Sequence, residues 1–142
     1  MMKTISILLV EDDQLDVIDI RRSFDKLNIL YQLHHVKNGE EAIGFLQNKE
    51  EYGLKALPDF VLIDINMPKM NGLELLEVIR NTEEWRQLKC FIITTSGEKV
   101  DRKNAEKLNV SGYIIKPLKL NSPSSMDAFN LMIDLLNFRT GD

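Results

Sequence analysis

Five short apolar runs, each too brief to be a helix, recur along the chain with helix-patterned stretches between them. They are read as strands at about Thr4 to Val10, Tyr31 to Val36, Asp59 to Asp64, Cys90 to Thr94 and Gly112 to Ile115. Alternation of this kind predicts βαβ units and a parallel sheet. The first, third and fourth runs are apolar at successive positions, as central strands covered on both faces must be. The class expected is therefore α/β, a doubly wound five-stranded parallel sheet with helices on both faces.

The intervening segments carry helical periodicity. Val17, Ile20, Phe24 and Leu27 form the apolar side of a first helix, opposite Asp16, Asp19 and Arg22. Asn38 is placed to cap a second, from Glu40 to about Lys49, followed by a polar connector from Glu50 to Leu57. Leu73, Leu76 and Ile79 mark a third, and residues 82–88 a turn or extra helical turn. The fourth, Glu98 to Leu108, has only Val100, Ala105 and Leu108 as apolar residues and should shift more easily than its neighbours. A last helix, Ser124 to Phe138, follows Ser122 as cap and Pro123 at the first helical position. Its second apolar stripe, Leu131, Leu135 and Phe138, is a candidate homodimer surface.

At 142 residues the chain fits one domain able to bury a core without metal or disulfide staples. A net charge of −4, with Lys and Arg scattered among acids, argues against nucleic-acid binding. The N-terminal apolar run is too short for a signal peptide or membrane span, and the single cysteine, Cys90, suits a reducing compartment, so a cytoplasmic location is expected.

Three of the strands end on charge. Glu11-Asp12-Asp13 follows the first, Asp64 closes the third, and Lys116-Pro117 follows the fifth. Parallel strands bring their carboxyl ends to one edge, so these side chains should meet in one crevice. Glu11, Asp12 and Asp64 together would repel and raise their own pKa values unless a cation intervenes. Mg²⁺ is the expected cation, because it takes oxygen ligands and binds through one or two carboxylates with water and phosphate completing the shell. Asp12 and Asp64 are the expected direct ligands, Glu11 acts through water, and the carbonyl of Asn66 adds a neutral oxygen; Asp13 is left to cap the first helix.

An ionised Asp64 beside such a cation can attack phosphorus in line and become an acyl phosphate. Lys116 can pair with a phosphoryl oxygen, and Pro117, a candidate cis residue, fixes the backbone after it. A hydroxyl at the end of the fourth strand can donate to the phosphoryl group, and by position alone Thr94, Thr95 and Ser96 compete for that role. His34 and His35 alternate along the second strand and are read as packing and surface residues.

These residues resemble the receiver domain of two-component response regulators over essentially the whole chain. The resemblance rests on Leu9-Val10-Glu11-Asp12-Asp13, Asp64-Ile65-Asn66-Met67-Pro68 with Gly72, Thr94-Thr95-Ser96, and Gly112-Tyr113-Ile114-Ile115-Lys116-Pro117. It implies a flavodoxin-like strand order 2-1-3-4-5, phosphoacceptor Asp64, acid pair Glu11 and Asp12, lysine Lys116, and Thr94 rather than Thr95 as the hydroxyl residue. Tyr113 matches the family's aromatic switch residue. With the Glu50 to Leu57 connector, the chain looks like the single-domain regulators that serve cyanobacterial phytochrome kinases.

The implied function is acceptance of a phosphoryl group from a sensor histidine kinase and signalling to a protein partner, with no room before Asp142 for a DNA-binding output domain; a relay or phosphate-sink role is the alternative. A Mg²⁺-dependent phosphohydrolase of the haloacid dehalogenase type would carry a second Asp two residues after the nucleophile, and Asn66 stands there instead. A signalling domain, not a turnover enzyme, is therefore expected. A flavin-binding electron carrier is disfavoured because the loop after the first strand is acidic.

Overall fold

A computed structural model describes residues 4–27, 29–67, 69–95, 99–116 and 137. Strands β1 (Ile5–Val10), β2 (Tyr31–Val36), β3 (Phe60–Asp64), β4 (Lys89–Thr94) and β5 (Gly112–Ile115) form one sheet in the order β2-β1-β3-β4-β5, with every pair parallel. Helices α1 (Gln14–Asp25), α2 (Gly39–Gln47), α3 (Gly72–Asn81) and α4 (Arg102–Lys107) make the crossovers. The doubly wound, five-stranded architecture is the one expected, and each strand starts and stops within one residue of its predicted bounds.

Strand alternation divides the core in two. Ile5, Ile7, Leu9, Phe60, Leu62, Phe91, Ile93 and Ile114 pack with Val17, Ile20 and Phe24 of α1. Leu8, Val10, Val61, Ile63, Cys90 and Ile92 point the other way, onto Phe45 and Leu46 of α2 and Leu75, Leu76 and Ile79 of α3. β3 is buried at all five positions, which is why its sequence shows no polar alternation.

Local chemistry sets the helix ends. The Asp13 carboxylate accepts from the N–H groups of Leu15 and Asp16, and Asn38 accepts from Glu41. Asn71 and Glu74 form a reciprocal capping box at α3.

Two segments differ from their sequence reading. The connector after α2 is partly ordered as a 3₁₀ turn, Lys49–Tyr52, ended by Gly53 at φ 82°, and its Leu54 and Leu57 pack on the core. α4 begins at Arg102, not Glu98, because the Asp101 carboxylate takes the N–H of Asn104 and fixes the start there. Only Ala105 of this six-residue helix is buried.

Arg80, at the end of α3, secures the turn that follows α4. Its guanidinium donates to the carbonyls of Leu108, Asn109, Arg86 and Leu88. The expected last helix with Ser122, Leu131, Leu135 and Phe138, and also Pro117, lie outside the described residues, apart from the helical, exposed Asn137. Among the described residues no helix is long and apolar enough to cross a membrane.

Candidate functional site

The register of the sheet levels the strand ends. Val10 stands opposite Ile63, Asp64 opposite Ile93, and Thr94 opposite Ile115, so residues 11, 64, 94 and 116 emerge at one edge. Gly72 lets the chain after β3 close tightly over that edge. A Cβ there would come within 2.6 Å of the Asp64 carbonyl oxygen and 2.9 Å of Ile65 Cα, so a side chain would force the start of α3 away from Asp64.

The crevice so formed is lined by Glu11, Asp12, Asp13, Asp16, Asp64, Asn66, Thr95 and Lys116. Carboxylate oxygens of Glu11, Asp12 and Asp64 lie within 4.8 Å of one another. Glu11 is fully buried, Asp64 is 3% exposed, and Asp12 faces solvent. The Asp64 carboxylate accepts the N–H of Asn66 at 3.2 Å, which aims one oxygen and leaves the other toward the lysine. Lys116 Nζ is 2.7 Å from Asp16, 2.9 Å from Glu11 Oε1 and 3.5 Å from Asp64.

Burial pushes the Glu11 carboxyl up to about 8, its hydrogen bond and repulsion with Asp64 add to that, and Lys116 offsets only part. Burial would lower the pKa of Lys116, but Asp16, Glu11 and Asp64 outweigh it and hold the ammonium well above its usual value. The closely packed oxygens of Glu11, Asp12 and Asp64 make an all-oxygen donor set that suits a hard dication.

The remaining predicted residues are divided between the crevice and the structure behind it. Thr95 lines the crevice, whereas Thr94 is buried behind it and donates its hydroxyl to the Thr95 carbonyl at 3.2 Å. Ser96 is outside the described residues. Tyr113 is buried against the α3 side of the core, with its hydroxyl 3.5 Å from the Arg102 carbonyl and the Arg102 guanidinium 4.1 Å above its ring. His34 packs on Phe45 with ring centroids 5.1 Å apart, and burial lowers its pKa. His35 reaches the crevice indirectly, placing Nε2 2.6 Å from the Glu11 carbonyl oxygen.

Sequence reading assigned Asp16 to the solvent side of α1; in the structure it is the nearest acid to Lys116. The available signal was its place in the first turn of a helix whose cap, Asp13, already belonged to the acidic run. Arg102 and His35 carried no comparable signal, because their contacts are made across the fold.

Comparison with known proteins places this geometry in context. The response regulator receiver domain profile matches residues 7–124, which is most of the chain and includes all of the crevice residues. The chain belongs to the response regulator receiver domain family. It is 35% identical over 112 residues to the probable methanogenesis regulatory protein FilR2 of Methanothrix harundinacea (strain 6Ac), covering 79% of this chain and 72% of that protein. It is 31% identical over 114 residues to the response regulator Rcp1 of Synechocystis sp. (strain ATCC 27184 / PCC 6803 / Kazusa), covering 80% and 78%.

A structure of the Mn(2+)-bound form of Rcp1 superposes with a TM-score of 0.70 at 28% identity over 94% of this chain and 92% of that one. The phosphorylated cyanobacterial phytochrome response regulator RcpA superposes at 0.73 with 26% identity over 98% and 96%. The receiver fold and the likeness to phytochrome response regulators are thus both found. Receiver domains take phosphoryl groups from histidine kinases and bind Mg²⁺ or Mn²⁺, and the Glu11, Asp12 and Asp64 cluster could hold such an ion.

Proposed function

We propose that Asp64 accepts a phosphoryl group from the phosphohistidine of a sensor histidine kinase, and that the chain then signals to a protein partner by a change in the β4–α4–β5 region. The observation that carries this reading is the convergence of Glu11, Asp12, Asp64 and Lys116, with the ammonium in reach of the phosphoacceptor at 3.5 Å. Asp12 and Asp64 would hold Mg²⁺ directly, Glu11 through water, and Asn66 through its carbonyl. When bound, the ion neutralises phosphoryl oxygens and the clustered carboxylates.

The chain's own groups supply the rest. An Asp64 oxygen forms the new O–P bond as the donor's P–N bond breaks, and the electron pair returns to the imidazole, which is protonated as it leaves. The Asn66 N–H orients the carboxylate for in-line attack. Lys116 pairs with a phosphoryl oxygen.

Thr94 leaves the Thr95 carbonyl to donate to the phosphoryl group, and Tyr113 follows into the space released. The phosphoryl group adds roughly −1.5 to −2 charges, enough to bias a lightly packed element through a few hydrogen bonds. No carboxylate stands two residues after Asp64 to activate water for turnover, so the acyl phosphate decays slowly and the domain acts as a signal rather than an enzyme. Incubation with acetyl phosphate and Mg²⁺ tests the assignment: the wild-type chain takes one label and Asp64→Asn takes none. Undiminished labelling of Asp64→Asn would move the nucleophile elsewhere.

A further inference from the structure

We propose that Asp16 is a positioning residue that restrains Lys116 in the resting state, so that phosphorylation must draw the lysine away from it. The inference rests on the reading of Asp64 as phosphoacceptor. The ammonium makes its shortest contact, a 2.7 Å hydrogen bond, with Asp16, a hundred residues away in sequence. Its distance to Asp64 is longer, at 3.5 Å. Glu11 Oε1 sits at 2.9 Å, so the ammonium is held between two acids, and Asp16 is the nearer of them and the one that draws it toward α1.

Asp16 is not needed where it is for helix termination, because Asp13 already caps α1 through the N–H groups of Leu15 and Asp16. An acid in the first helical turn is favourable on dipole grounds alone. That would leave its side chain free in solvent, whereas the Asp16 side chain is only 28% exposed and the lysine it meets 15%. Charge-assisted contacts of this length between partly buried groups are stronger than surface pairs.

The consequence is a competition. A phosphoryl group on Asp64 presents new anionic oxygens to the same ammonium, and the gain on forming that contact is reduced by whatever the Asp16 contact loses. Asp16 therefore lowers the affinity of the resting site for phosphoryl and sharpens the difference between the two states. Removing its charge should make the phosphoryl-bound state easier to reach.

Beryllofluoride, which adds to an aspartate as a phosphoryl mimic, gives a readout by titration calorimetry at saturating Mg²⁺ that needs no kinase. Asp16→Asn and Asp16→Ala should each bind it about fivefold more tightly than wild type, while Asp16→Glu, which keeps the charge, should stay near wild type. The control is Asp13→Asn, which removes one charge from the same crevice and keeps a capping side chain. A restraint acting through Lys116 predicts a gain in the Asp16 variants and little in Asp13→Asn. Equal gains in both would mean simple repulsion of anions, and unchanged or weaker binding in Asp16→Asn would mean no restraint; either overturns the proposal. A wild-type chain that binds no beryllofluoride sinks the phosphoacceptor reading itself, which is a distinguishable failure.

Discussion

The two sides of the crevice are built to different standards. On the β1–β3–α3 side, every residue of β3 is buried, α3 is locked by a capping box, and Leu75, Leu76 and Ile79 are fully enclosed. On the β4–α4–β5 side, α4 has six residues and one buried side chain, Val100, Leu108 and Val110 around it are only partly buried against the core, and polar contacts add to these: Arg80 on the carbonyls after the helix and Arg102 over Tyr113. Asp64, the proposed nucleophile, and its acid neighbours sit on the first side, the residues proposed to move on the second. A domain that must hold its chemistry still while one element shifts by small free energies has good reason to segregate them in this way.

Cavities should expose the contrast most strongly. Leu76→Ala, in the fully buried face of α3, is expected to cost about 2–5 kcal/mol in chemical denaturation. Ala105→Gly, the most that can be removed from α4, is expected to cost about 1 kcal/mol. Similar losses at the two sites would dissolve the comparison.

The acid cluster gives the second test. Glu11 is raised from 4.5 to about 8, so over that interval the folded chain holds a proton that the unfolded chain has lost. This contribution to stability is present in full below about pH 4.5 and fades as pH rises toward 8, so a chelator-treated sample should become less stable across that range. Added Mg²⁺ needs the ionised carboxylate, so its stabilising effect should grow with pH over the same interval. Thermal melts with and without metal check both slopes.

A smaller effect is expected at the start of α3. Gly72→Ala sets a Cβ 2.6 Å from the Asp64 carbonyl and should cost about 1–3 kcal/mol, with slower labelling by acetyl phosphate because the start of α3 is pushed off the site. Smallest is Arg102→Ala, about 0.5–1 kcal/mol for the lost cation–π contact. Its mark is local: amide exchange should quicken in α4 and around Tyr113 while α3 is unchanged.

β1, β3 and β4 were legible in the sequence because burial on both faces writes a near-continuous apolar run, whereas β2, mostly half-buried, carries Gln32, His34 and His35 and shows no such run. The caps Asp13 and Asn38 were legible because their hydrogen bonds are local. The start of α4 was not, since its fate turns on Asp101 capping against a weak apolar pattern. The strand ends Glu11, Asp12, Asp64 and Lys116 could be gathered from topology alone. Asp16 was missed because helical periodicity marks it as a polar-face residue, and its place in the first turn after the acidic run, the one hint in the sequence, does not show that it meets Lys116. Thr94 and Thr95 were inseparable by position, and the fold separates them by burial: one is enclosed behind the crevice, the other lines it.

The central claim is that the carboxylate at the end of β3 becomes an acyl phosphate in a metal-dependent reaction. Treating the chain with acetyl phosphate and Mg²⁺, reducing the product with borohydride and sequencing the peptides by mass spectrometry tests it directly. Conversion of Asp64 to homoserine, lost when EDTA replaces Mg²⁺, is the result predicted; homoserine at another aspartate, or the same yield without metal, would contradict it.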